Sequence, residues 1–235
     1  MRVTFLAHSG FLVETESRCL LFDWWKGELP SLPDKPLTVF ASHRHPDHFD
    51  PHIFALDDPA RDVTYVLSRD IRLSPSNRRK WGLPDATAER CRSLGGGEAL
   101  SLPGMEVETL RSTDEGVAFL IRCDGRTIYH AGDLNWWYWT GEGGDWNQNM
   151  EVNFKRYSEP LRSRHIDLAM VPLDPRQGDA EDWGLLYLLN LAEVDRVLPM
   201  HQWGDYSPTA RLKVRHPEFA GKILEITGEG QTFVL

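Results

Sequence analysis

Ser42-His43-Arg44-His45-Pro46-Asp47-His48 packs three imidazoles and a carboxylate into six consecutive positions of a chain with nine histidines in all. The apolar run Leu37–Ser42 leads straight into it. Along extended backbone the side-chain period is two, so His43 and His45 point to the same side. Pro46 disfavours helix at His45 and helps hold that geometry. The chain then turns at the proline, leaving Asp47 and His48 to aim at a neighbouring point. One short segment can therefore begin two adjacent metal positions, with ligands that suit zinc and also iron or manganese. The bland alternative is a polar loop after a buried strand, and the density of donors argues against it.

Outward from this segment the chain reads as strands with a few helices between them. Strands are expected at Val3–Ala7, Phe11–Glu14, Cys19–Trp24, Val63–Ser68, Val107–Leu110, Val117–Arg122 and Thr127–Ala131, with Asp124-Gly125 as a hairpin turn. Later ones are expected at Leu168–Pro172, Arg196–Pro199, Lys222–Ile226 and Gln231–Leu235. Helical spacing marks Asn149–Arg164, bent or broken at Pro160, and the apolar stretch Asp182–Leu191. A further helix starts at Pro208, with Ser207 as N-cap, and runs towards His216. No repeat or low-complexity linker divides the chain. The expectation is an α/β fold, two sheets packed together and flanked by helices (αββα), as one domain over residues 1–235.

In the order and spacing of its pieces the chain resembles the metallo-β-lactamase superfamily, whose signature is His-x-His-x-Asp-His after a strand. Leu6-Ala7-His8-Ser9-Gly10-Phe11-Leu12-Val13 and Leu20-Leu21-Phe22-Asp23 look like its first hairpin and the strand-end aspartate that follows. Tyr129-His130-Ala131-Gly132-Asp133 looks like the strand ending in the metal-bridging aspartate, and Pro199-Met200-His201-Gln202-Trp203 like the strand end with the last histidine. The resemblance is nearest to compact hydrolases that include a sugar-phosphate lactonase. It implies that His43 and His45 belong to a first metal, Asp47, His48 and His201 to a second, and that Asp133 bridges both. Metal-activated water would be the nucleophile, and Asp47 could orient it or take a proton.

The chain departs from that pattern at one place. A third histidine for the first metal is usual shortly before the strand pair leading to the bridging aspartate. Here stands Arg111-Ser112-Thr113-Asp114-Glu115. Asp114 or Glu115 could substitute, or the first site is weak or empty. Asp23 is expected to hydrogen-bond the histidine loop, and His8 lines the pocket or serves only in its turn. Trp136 and Trp137 open an aromatic, glycine-bearing segment after Asp133, read as a pocket wall or as a cover for the sheet edge. Arg176 binds an anionic group or pairs with Asp174 or Asp179. His130 is expected in the core, and His165 and His216 at helix ends.

Composition narrows the function. The net charge of −9 disfavours a phosphate-gripping surface, and Arg78-Arg79-Lys80 is the only basic cluster, read as a solvated loop. No apolar run approaches the roughly 20 residues of a membrane span, and no leader pattern opens the chain. Cys19, Cys91 and Cys123 are widely spaced and read as reduced thiols, which points to the cytoplasm. The expected activity is metal-dependent hydrolysis of an ester, lactone or phosphate ester of a small molecule, with one or two ions. A metal-binding member with reduced catalysis, and a phosphodiesterase or ribonuclease, stand as alternatives.

Overall fold

In the computed structural model, which describes residues 1–235, the chain falls into two units: 1–95 with 229–235, and 96–228. Each is built on its own sheet.

The first unit opens with the antiparallel strands β1 (Arg2–Ala7), β2 (Gly10–Glu14) and β3 (Cys19–Phe22), and continues with β4 (Leu37–Ala41), β5 (Val63–Ser68) and β6 (Cys91–Leu94). The strand Thr232–Val234 pairs with β1, giving the order Thr232–Val234, β1, β2, β3, β4, β5, β6. From β3 to β6 the pairing is parallel. Every residue of β3 and β4 is buried, as expected of central strands covered on both faces. One face rests on a core of Leu21, Val39, Phe54 and Tyr65.

The second unit holds β7 (Ala99–Leu102), β8 (Met105–Arg111), β9 (Val117–Cys123), β10 (Arg126–His130), β11 (His165–Pro172) and β12 (Glu193–Met200), in the sheet order β12, β11, β10, β9, β8, β7. Strands β7 to β10 form an antiparallel meander, and β10, β11 and β12 run parallel. Asp124 and Gly125 both have positive φ, which fits the tight hairpin turn between β9 and β10.

The helices are α1 (Pro75–Trp81), α2 (Asp85–Glu89), α3 (Gly144–Ser158), α4 (Trp183–Leu191) and α5 (Ser207–Arg215). None is long and apolar enough to cross a membrane.

The mixed α/β class with two sheets is as expected, and several element assignments are corrected. Arg78-Arg79-Lys80 is not loop but the last turn of α1, where cations face the negative end of the helix dipole. α3 starts before residue 149 and ends at Ser158, and Pro160 sits in a following 3₁₀ turn. Ser207 is the first helical residue of α5 and Tyr206 the cap. His165 begins β11 rather than ending a helix. Lys222–Ile226 is no strand. Ile223 makes an isolated bridge to Val197, and Pro199, two residues on, has no N–H to extend the ladder.

Candidate metal centre

In each unit, parallel strands deliver polar residues from their carboxyl ends, the edge at which open α/β sheets hold ligands. In the first unit β3 ends at Asp23, β4 at Ser42-His43 and β5 near Asp70. The buried Asp23 carboxylate accepts from the Ser42 amide (2.7 Å), the Ser42 hydroxyl (2.6 Å) and His48 Nδ1 (2.8 Å). His43 Nδ1 lies 3.0 Å from the same hydroxyl. These bonds decide the tautomers. With the proton of His48 on Nδ1, the lone pair sits on Nε2, the arrangement a metal-binding histidine needs. Asp23 thus ties the strand end to the histidine loop.

The loop itself turns tightly, since the amides of His48 and Phe49 both donate to the His45 carbonyl. Phe49 anchors its far end against Phe54 and Trp81. The His43 and His45 rings meet edge-on at 4.7 Å and carry donor atoms within 4.8 Å of each other. A second group of donors comes from His8, Asp47 and His48, also within 4.8 Å of one another. His8 Nε2 is 3.4 Å from Asp47 Oδ2. Burial pushes the Asp47 carboxyl up, but His8 and His48 beside it outweigh that and hold it well below the usual carboxylate range. Asp47 is therefore an ionised acceptor at neutral pH.

In the second unit β10, β11 and β12 end side by side, in register His130–Met170 and Pro172–Met200, and are followed by Asp133, Asp174 and His201. The buried Asp174 carboxylate accepts from His201 Nδ1 (2.8 Å), from Trp203 Nε1 (3.3 Å) and from the Arg176 guanidinium at 2.5–3.0 Å. Burial raises its pKa, and the pairs with His201 and Arg176 bring it well below the ordinary value. This repeats the logic of Asp23 and His48. His201 Nε2 is 3.7 Å from Asp133 Oδ1. Asp114, on the exposed β8–β9 turn, brings a carboxylate oxygen within 4.8 Å of that of Asp133.

Thr113 faces elsewhere: its hydroxyl donates to the carbonyls of Asp133 and Asn135 (3.1 and 2.7 Å) and accepts from the Asn135 amide. Trp137 is buried, donates to the Asp133 carbonyl (3.0 Å) and leans on His201, 5.3 Å between ring centres. Trp136 turns away from these residues, packing against Phe154 and Trp183 under the Lys155 ammonium. His130 is a core residue whose Nδ1 accepts from the Gly132 amide. Arg176 takes the pairing role, on Asp174, and lies 4.4 Å over the Trp203 ring. The sequence reading missed the Asp174–His201 pair. Its signal was the strand-end Asp174 in Leu173-Asp174-Pro175-Arg176, in the place that Asp23 holds at the end of β3.

The residues fit a metal. In both units a buried carboxylate fixes an imidazole's Nδ1, and carboxylates stand beside those imidazoles.

A sequence-family model described as the beta-lactamase superfamily domain matches residues 2–136. The chain belongs to the metallo-β-lactamase superfamily and to its class of metal-dependent hydrolases. Among its relatives are two proteins named UPF0173 metal-dependent hydrolase. That of Opitutus terrae is 27% identical, over 94% of this chain and 92% of its own. That of Korarchaeum cryptofilum is also 27% identical, over 86% and 82%. Two solved structures share the fold. Igni18, a metallo hydrolase of Ignicoccus hospitalis, has a TM-score of 0.61 and 17% identity, covering 100% of this chain and 98% of that one. The metallo-beta-lactamase fold protein YhfI of Bacillus subtilis has a TM-score of 0.61 and 16% identity, covering 99% of both.

Proposed function

We propose, on the ligand pattern of the superfamily, that this chain carries a dinuclear centre that hydrolyses an ester, lactone or phosphate ester of a small molecule. The reading assigns His43, His45 and Asp133 to a first metal, with Asp114 in the place of the absent histidine. Asp47, His48 and His201 go to a second, with Asp133 shared. Metal ions held by these residues would lower the pKa of a water and so supply a nucleophile near neutral pH.

The observation that carries the reading is the repeated buried pair, Asp23 on His48 and Asp174 on His201. A buried carboxylate spent on one imidazole nitrogen is the usual partner of a metal-ligating histidine. Asp47, held ionised, orients the water or accepts its proton. Replacing an imidazole by Asp114 makes the first donor set richer in oxygen, which suits manganese or iron as well as zinc. The acidic net charge and the tryptophans around His201 favour a small substrate with an apolar or sugar face over nucleic acid. Three free cysteines accord with the cytoplasm.

The test is a screen of protein loaded with zinc, manganese or iron against small esters, lactones, sugar phosphates and short RNAs. Turnover is expected among the small molecules and should vanish in Asp133→Ala. RNA cleavage without small-molecule turnover overturns the substrate class, and a chain that retains no metal overturns the centre.

A further inference from the structure

We propose that His8 is itself a metal ligand, completing with Asp47 and His48 a three-donor set that lies wholly within the first unit. The proposal rests on the dinuclear reading above and adds to it a residue outside the His-x-His-x-Asp-His segment.

Position is the first argument. His8 sits in the turn between β1 and β2 with φ at +54°, and its side chain is buried. A turn of this kind asks for glycine or asparagine, which enter the left-handed region at little cost. A side chain other than glycine is uncommon there, and an imidazole held in that conformation and turned inward points to a task for the side chain.

Distance is the second. Nε2 of His8 stands 3.4 Å from Oδ2 of Asp47. That is long for an N–H···O bond, which falls at about 2.7–3.2 Å. It matches two ligands of one ion, since donors about 2.0–2.1 Å from a tetrahedral centre lie about 3.3 Å from each other. The third donor, on His48, completes a group with all atoms within 4.8 Å.

Orientation is the third. The His8 ring meets His48 at 81° with 5.5 Å between centres, and Trp25 braces its other side at 84° and 6.3 Å. Two imidazoles on one ion must splay in this manner to bring their nitrogens together without stacking. With Nδ1 of His48 held by Asp23, the nitrogen left for such an ion is Nε2. His8 thereby returns to the chain an imidazole donor, at the other metal from the one whose histidine is absent.

The experiment compares wild type with His8→Gly and His8→Gln. Glycine removes the imidazole and suits the positive φ, so the fold is kept, as circular dichroism of the metal-free protein verifies. Glutamine retains an N–H able to donate to Asp47. Zinc affinity is read by chelator competition, and coordination by the visible spectrum of the cobalt(II)-loaded protein. A ligand predicts that both variants lose more than the roughly 100-fold at which outer-shell substitutions stop, with an altered cobalt spectrum. Rescue by glutamine, or losses under about tenfold in both variants, overturns the proposal and leaves the dinuclear reading standing. Wild type that retains neither zinc nor cobalt overturns that reading itself.

Discussion

A neutral imidazole carries one N–H and one lone pair, and whatever touches one nitrogen decides the role of the other. Asp23 and Asp174 settle that choice for His48 and His201, each at 2.8 Å. Replacing the carboxylates with amides therefore tests orientation without emptying the space. Asp23→Asn is the cleaner variant, because Asp23 has φ at +41° and asparagine tolerates the left-handed region. Each of Asp23→Asn and Asp174→Asn should weaken metal binding about 10–100-fold, read by chelator competition. The Asp23 variant should lose about 1–3 kcal/mol of stability in the metal-free state, because its amide NH2 must face a donor where a carboxylate oxygen accepted. Asp174→Asn should cost more, since it also strips a charge from Arg176. The histidine segment was legible because its donors are contiguous. The Asp174–His201 pair was not, since its partners are 27 residues apart and meet only through the parallel register of β11 and β12.

At the scale of elements, the loop after β10 is held from three sides. Thr113 clips it from the β8–β9 turn, Gln177 bonds both the Asn135 side chain and the Trp136 carbonyl, and α4 closes over it at Gly184. A Cβ added at Gly184 would stand 1.9 Å from Asn135 Oδ1. Gly184→Ala should therefore push Asn135 off Gln177 and cost about 1–3 kcal/mol despite the better helix propensity of alanine. Denaturant unfolding measures this, and an unchanged midpoint would show that the loop yields freely. The same logic explains which elements the sequence hid. α1 buries no residue, so it has no apolar stripe to read. Lys222–Ile226 has the apolar residues of a strand but faces a proline where its ladder would continue.

For the whole molecule, acid stability is set in part by a carboxylate outside both donor sets. Asp167 on β11 accepts from the Thr127 amide (2.8 Å) and the Arg126 guanidinium (2.6 Å). Burial raises its pKa, yet these two bonds bring it below the ordinary carboxylate value. A folded pKa below the unfolded one means a contribution fully present above the unfolded value of about 3.9 and lost as pH falls through the folded one. Asp167→Asn should thus lower stability at pH 7 by about 1 kcal/mol, the half-exposed Arg126 being screened. Thermal melts of the two proteins should converge as the medium is acidified below the carboxylate range. A gap that stays constant with pH would mean that the charge of Asp167 is not what stabilises β10 against β11. The two-sheet α/β class was readable from alternating apolar runs, whereas β6 and β7 were missed because most of their residues are not buried.

Two indole rings flank His201: Trp137 at 5.3 Å and Trp203 at 5.5 Å. Indole emission is sensitive to the charge and electron demand of a group in contact with it. Any event that protonates this imidazole or draws on its lone pair is therefore coupled to the protein's own light. The chain carries an optical gauge of His201, so titration with a metal ion can be followed in real time without a label or a known substrate.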